Sequence, residues 1–327
     1  MPPPILLAIP NVSEGRSAEA IAAIGEAFAS APTPAMHESG PGAGAGESPS
    51  AAARLLDVHS DPDHHRSVFT LAARPRELAD SLLRGAAAAV ALVDVMRGND
   101  AHEPPGQHPH VGALDVAPVV YLDRAARGAA CAEALVIADR IGSELNVPAF
   151  LYGELTADGH APGRSRAELR RGGVSALAAR MAGAGAQPAL RPDFGPARLH
   201  ASAGATLVGA REPLVAFNLQ LAPPATVEQA RAIAASIREG GERGLPGVRA
   251  IGVALGGGAA QVSMNVERPL ELPLAAVVEA VRRHSPVMSA ELVGLAPAAA
   301  LEGFPEDLPM PGFDPVRHVL ENALGST

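Results

Sequence analysis

One order of strand-like and helix-like segments occurs twice along this chain of 327 residues, and that repetition is its strongest constraint. The clearer copy lies in the second half. LVAFNLQL (214–221) alternates apolar and polar residues and reads as a strand. Thr226 and Gln229 form a capping box for a helix ending near Glu239-Gly240-Gly241. VRAIGVAL (248–255) and AQVSMNVE (260–267) read as strands joined by the turn Gly256-Gly257-Gly258. A helix at 273–284, the strand AELVGL (290–295) and a C-terminal helix at about 314–324 follow.

The first half has the same β-α-β-β-α-β order. ILLAIPNV (5–12) fits a buried strand, and Ser17 caps a helix through about Phe28. RLLDVHS (54–60) and SVFTLAA (67–73) flank the polar loop DPDHHR and read as a hairpin. A helix from about Pro75 to Val95 leads through RGNDAHEPPGQHPHVG to the strand ALDVAPVVYLD (113–123). A further helix (124–145), the strand PAFLYGEL (148–155) and a polar, arginine-rich segment to about Pro188 extend this half. The expected fold class is α/β (α+β), with two ferredoxin-like subdomains arising by duplication, at 1–209 and 210–327. Residues 39–50, SGPGAGAGESPS, read as a flexible insert. A ligand site is expected where the halves join.

Composition narrows the function. The chain is 47% hydrophobic, enough for a large core, but only 3% aromatic with no Trp, so Ala, Val and Leu must fill that core. A net charge of −9 without a basic stripe argues against nucleic-acid binding. A single cysteine, Cys131, rules out an internal disulfide and reads as a small buried apolar residue. No apolar run approaches the ~18 residues of a membrane-crossing helix and no secretory leader opens the chain, so a cytoplasmic protein is expected.

The histidines are the main chemical irregularity. Six of the 11 fall between 59 and 110: His59, His64, His65, His102, His108 and His110. They read as polar loop residues, as metal ligands or as general acid/base groups. No H-E-x-x-H or cysteine-bearing pattern supports the metal reading. Asn11, Ser13, Glu14 and Arg16 follow the first strand, where backbone N–H groups can meet an anion. DFGPARLHASAGATLVGAR (193–211) is rich in small residues; backbone at Gly195, Gly204 and Gly209 suits close approach of a flat ligand, or the segment is a plain linker.

Six segments in register, IPNVSEGR, LLDVHSDPDHHRSVFT, GQHPHVGALDVAP, VPAFLYGE, PDFGPARLHASAGATLVGAR and AFNLQL, resemble the glutamate formimidoyltransferase (formiminotransferase) family, without the cyclodeaminase domain fused to it in some organisms. The resemblance implies transfer of a formimino group from N-formimino-L-glutamate to N5 of tetrahydrofolate in histidine breakdown. It implies two ferredoxin-like subdomains, a homodimer and small-molecule substrates, with no metal. Of the residues, it implies His108 as the catalytic acid/base. Gly195, Pro196, Ala197, Arg198, Leu199, His200, Ala201, Ser202, Ala203 and Gly204 match the folate-contacting segment. Asn11, His59, His65, Arg66, His110 and Arg211 are the candidates to hold substrate, the arginines by pairing with carboxylates. The chain departs from the family at His110 (usually arginine), Gln107 (glutamate), His59 (aspartate) and Ala203 (aromatic), and in its longer acidic loop. The alternatives are a relative that binds folate or another small anion without transfer, and a metal-dependent hydrolase built on the histidines.

Overall fold

Pro10 breaks the first predicted strand. Proline has no N–H for a ladder, so ILLAIPNV forms two short strands, β1 (Leu6–Ala8) and β2 (Asn11–Val12). Helix α1 (Ala18–Ala29) follows, its first turn capped by the Ser17 hydroxyl, which accepts from the Ala20 N–H. The hairpin of β3 (Arg54–Asp61) and β4 (Arg66–Ala73) precedes α2 (Glu77–Leu92) and β5 (Leu114–Val120). This computed structural model describes residues 3–31, 52–97, 109–157, 163–183 and 188–325. The expected insert at 39–50, His102, Gln107 and His108 lie outside the described residues.

The chain then adds α3 (Arg127–Glu144), β6 (Ala149–Gly153), α4 (Arg166–Arg170), α5 (Gly173–Met181) and β7 (Thr206–Arg211). These seven strands form one sheet in the order β1-β4-β2-β5-β7-β6, with β3 on β4. Strand β1 pairs antiparallel with both β4 and β5, and β2 with β5. Strands β5 and β6 both run parallel to β7. All seven residues of β5 are buried, as a central strand covered on both faces requires.

The remaining elements are β8 (Val215–Leu221), α6 (Val227–Ile237), β9 (Val248–Ala254), β10 (Ala260–Val266), α7 (Leu274–Arg282), β11 (Val287–Val293), α8 (Pro315–His318) and α9 (Leu320–Gly325). The sheet order is β11-β8-β10-β9, antiparallel throughout, which is the ferredoxin-like arrangement. The expected capping box is present: Thr226 Oγ1 accepts from the Gln229 N–H, and the Gln229 side chain accepts from the Thr226 N–H. Val215, Phe217, Leu219 and Leu221 of β8 pack under α6 and α7 with Ile233, Ile237, Val277 and Val281. Each such side chain contributes about 1.5–3 kcal/mol when fully buried. The predicted C-terminal helix is interrupted at Val319, which bridges to Ala296.

The chain divides into two units, 1–55 with 71–211, and 56–70 with 212–327. The hairpin tip therefore belongs to the second unit, and the division expected at 209/210 falls inside β7. Three elements went unread in the sequence. Helix α4 has its own capping box from Ser165 and Glu168. Helix α5 follows Gly172, which is left-handed. Strand β7 was taken for a connection, because Gly209 weakens its pattern; across the ladder the Tyr152 ring covers that glycine. Cys131 is half-buried rather than buried.

Candidate functional site

In the first unit, two of the segments singled out in the sequence are joined backbone to backbone. Val111 O accepts from the Ala205 N–H at 3.0 Å, and Ala203 O accepts from the Ala113 N–H at 2.9 Å. The approach needs glycine on both sides. A Cβ on Gly112 would stand 1.8 Å from Ala205 O, and one on Gly204, at φ +68°, 2.4 Å from Val111 O. The Ser13 hydroxyl donates to Gly112 O at 2.7 Å, and Ser13 N–H to Ala113 O at 2.9 Å, so the loop after β2 braces the same strand. Asp115, fully buried in β5, accepts from the Val111 N–H at 2.9 Å and pairs with Arg170 of α4. The chain immediately after His108 and His110 is thereby held by three neighbours.

The folate-like segment begins at the edge of β6, where Phe194 O accepts from Ala149 N–H and Asp193 from Leu151 N–H. Asn146, Pro196, Arg198, Leu199, His200 and Ala201 line a cavity of about 480 Å³. His200 Nδ1 accepts from the Ala203 N–H at 3.1 Å and lies 3.3 Å from the Ser202 nitrogen, which fixes a tight turn. The glycines do not stand open as the sequence suggested. Gly195 packs on Gly142 of α3, Gly204 on Val111 and Gly209 on Tyr152. Ala203 is buried and acts through its carbonyl.

In the second unit, the turn DPDHH is tied in place. Asp61 Oδ1 accepts from the Asp63 and His64 N–H groups, and Asp63 Oδ2 from Gly256 N–H at 3.0 Å. His65 is forced to φ +48°, a left-handed conformation that costs a non-glycine residue ~1 kcal/mol or more. His64 Nε2 lies 3.4 Å from Gln261 Oε1 and 3.8 Å from Asp61 Oδ2. His59 Nε2 lies 3.4 Å from Glu291 Oε1, an ion-pair distance outside hydrogen-bond geometry. Burial pulls the His59 pKa down, but Glu291, then Asp57 and Asp61, outweigh it and the net direction is up. For Glu291 burial pushes up, and His59, Asn218 and His64 together bring it below the ordinary carboxylate value. Among the described residues, no group of three or more His, Cys, Asp or Glu side chains is arranged to hold a metal ion.

Both units match known sequence families. Residues 5–211 match the formiminotransferase domain, N-terminal subdomain, and 216–303 match the formiminotransferase domain. The chain belongs to the formiminotransferase family. It is 32% identical over 278 residues to the glutamate formimidoyltransferase of Streptococcus pyogenes serotype M1, covering 83% of this chain and 88% of that protein. It is 32% identical over 302 residues to that of Thermoplasma acidophilum, at 90% and 88% coverage. To the formimidoyltransferase-cyclodeaminase of Sus scrofa it is 37% identical over 304 residues, 90% of this chain and 50% of that protein. The chain thus spans about half the length of such mammalian relatives.

Against this formiminotransferase frame the sequence-predicted residues fall into two groups. Asn11, His110, the 195–204 segment and Arg211 lie in the first unit; His59, His65 and Arg66 lie in the second. Asn11 donates to Ile9 O at 2.7 Å. Sequence reasoning missed Asp115, Arg170, Asn218, Gln261 and Glu291. A signal existed for the last three: each is a polar residue within a strand-like apolar run, and register makes Glu291 the direct cross-strand neighbour of Asn218.

Proposed function

We propose that the chain transfers a formimino group from N-formimino-L-glutamate to N5 of tetrahydrofolate, in histidine degradation. The observation that carries this reading is the family match over both subdomains, with glutamate formimidoyltransferases covered over 88% of their length. His108 is the general acid/base. As N5 adds to the amidine carbon, His108 accepts the proton that N5 loses. It then donates a proton to the departing glutamate nitrogen, closing a cycle that consumes no net acid or base and supplies roughly 10²–10⁴-fold.

The cavity of about 480 Å³ beside Arg198 and His200 has the size of a small-molecule site and suits the pterin–benzoyl body of the co-substrate. Arg198 takes its glutamyl carboxylate by a charge-assisted bond. Asn11, His59, His65, Arg66, His110 and Arg211 hold the formimino donor. The chemistry as derived calls on no metal ion. The reading includes a cytoplasmic homodimer, because the terminal strands of a sheet are commonly covered by self-association. None of the helices among the described residues is long and apolar enough to cross a membrane.

The test is direct. Purified protein with the two substrates should form 5-formimino-tetrahydrofolate, followed by its absorbance. Tetrahydrofolate binding without product would replace this reading with that of a folate-binding relative lacking transfer. Light scattering at micromolar concentration should give twice the chain mass; a monomer refutes the dimer.

A further inference from the structure

The four-stranded sheet of the second unit has an apolar face under its helices and an opposite face carrying polar residues. On that face Asn218, Gln261 and Glu291 come from three adjacent strands, and the first two are buried. Glu291 Oε2 accepts from Asn218 Nδ2 at 2.8 Å and from Gln261 Nε2 at 3.4 Å. Its other oxygen lies 3.4 Å from His59 Nε2. The carboxylate is therefore held by three side chains and cannot swing away without leaving buried amides unpaired. His59 Nε2 is buried, yet 23% of the side chain is exposed, so that exposure lies elsewhere on the side chain. The groups facing His59 are the carboxyl groups of Glu291 from β11 and of Asp57 and Asp61 from its own strand, with His64 facing Glu291 and with His318 and Arg317 facing Asp57. This setting favours the imidazolium, in which both ring nitrogens donate.

We infer that Glu291 is a positioning residue that fixes His59 through Nε2, so that the ring's other edge takes a carboxylate of a dicarboxylate substrate. The inference rests on the formimino-glutamate reading, whose donor carries two carboxylates, and it adds Glu291, Asn218 and Gln261 to the residues that serve it.

The experiment is a histidine-ring NMR titration of the whole chain with glutarate, the His59 signal being assigned from His59→Gln. Glutarate should shift the His59 signal saturably in the parent protein. In Glu291→Gln the titration midpoint of His59 should fall and glutarate should bind roughly tenfold more weakly, as for loss of one charge-assisted contact. In assays KM for the formimino donor should rise by a similar factor while kcat stays within about threefold, the pattern of lost uniform binding. A His59 signal unmoved by saturating glutarate, or unchanged glutarate affinity in Glu291→Gln, overturns the inference. Should Glu291→Gln not fold, His59→Gln leaves the Glu291–Asn218–Gln261 bonds intact and must show the same tenfold loss. A parent protein that binds glutarate at His59 but transfers no formimino group sinks the transfer reading and supports this one.

Discussion

Arg170 and Asp115 form an ion pair out of reach of water, with Asp115 0% and Arg170 8% exposed. The same carboxylate accepts the Val111 N–H, so α4 is linked to the strand that follows the histidine loop. Arg170→Met removes the guanidinium partner of a buried carboxylate and should cost about 3–5 kcal/mol of unfolding free energy in urea titration. Asp115→Asn with Arg170→Met keeps an acceptor for Val111 and should recover most of that loss. A single variant as stable as the parent would mean the pair is solvated.

Gly112 should not tolerate a methyl group. Its Cβ would fall 1.8 Å from Ala205 O, a backbone atom. Gly112→Ala should therefore separate the 111–113 and 203–205 segments, lose ~3 kcal/mol or more and abolish turnover. Gly128→Ala is the control: nothing lies within 4 Å of the added Cβ, which sits in α3. It should be neutral or stabilising by up to about 1 kcal/mol. Thermal melts of the two variants decide the matter, and equal losses would contradict it.

His108→Ala should lower kcat by about 10²-fold or more while leaving tetrahydrofolate binding within a few-fold of the parent, since its work is proton transfer. Single-turnover rates and equilibrium fluorescence separate the two effects. Equal losses in both would make His108 a binding residue.

The His59–Glu291 pair gives stability a defined pH window. His59 has a folded pKa above its ordinary 6.5, so its contribution is complete below 6.5 and is lost as pH rises through the folded value. Glu291 has a folded pKa below its ordinary 4.5, so its contribution is present above 4.5 and is lost as pH falls through the folded value. The pair is therefore fully effective between these limits. The difference in unfolding free energy between the parent and His59→Gln should be largest near pH 5.5 and shrink toward pH 9. A difference that is flat across that range would show that the pair does not titrate with folding.

The repeated element order was legible because two periodicities and two capping signals, at Ser17 and Thr226, agreed with each other. Strand β7 was not, because its place between β5 and β6 is decided by partners distant in sequence, and its glycine is made good by Tyr152 across the ladder. The break at Pro10 was visible in principle, since a strand cannot run through a residue without an N–H. Among site residues, the histidines drew notice by their density. Glu291 and Asn218 did not, because alternation assigns them to the solvent side of their strands, whereas His59 of the hairpin lies 3.4 Å from Glu291. At Gly195, Gly204 and Gly209 the absent side chain makes room for Gly142, Val111 and Tyr152, a packing use that the sequence does not announce.

The hairpin of β3 and β4 begins and ends in the first unit while its tip belongs to the second. A protease or a gene fission acting between residues 211 and 215 would not release two self-sufficient repeats. The C-terminal piece would leave without residues 56–70, and its Glu291, Asn218 and Gln261 would face water in place of His59 and His64. The two copies, once duplicated, have become inseparable by any single cut, and an insertion into DPDHH would reach the second copy from a position encoded in the first.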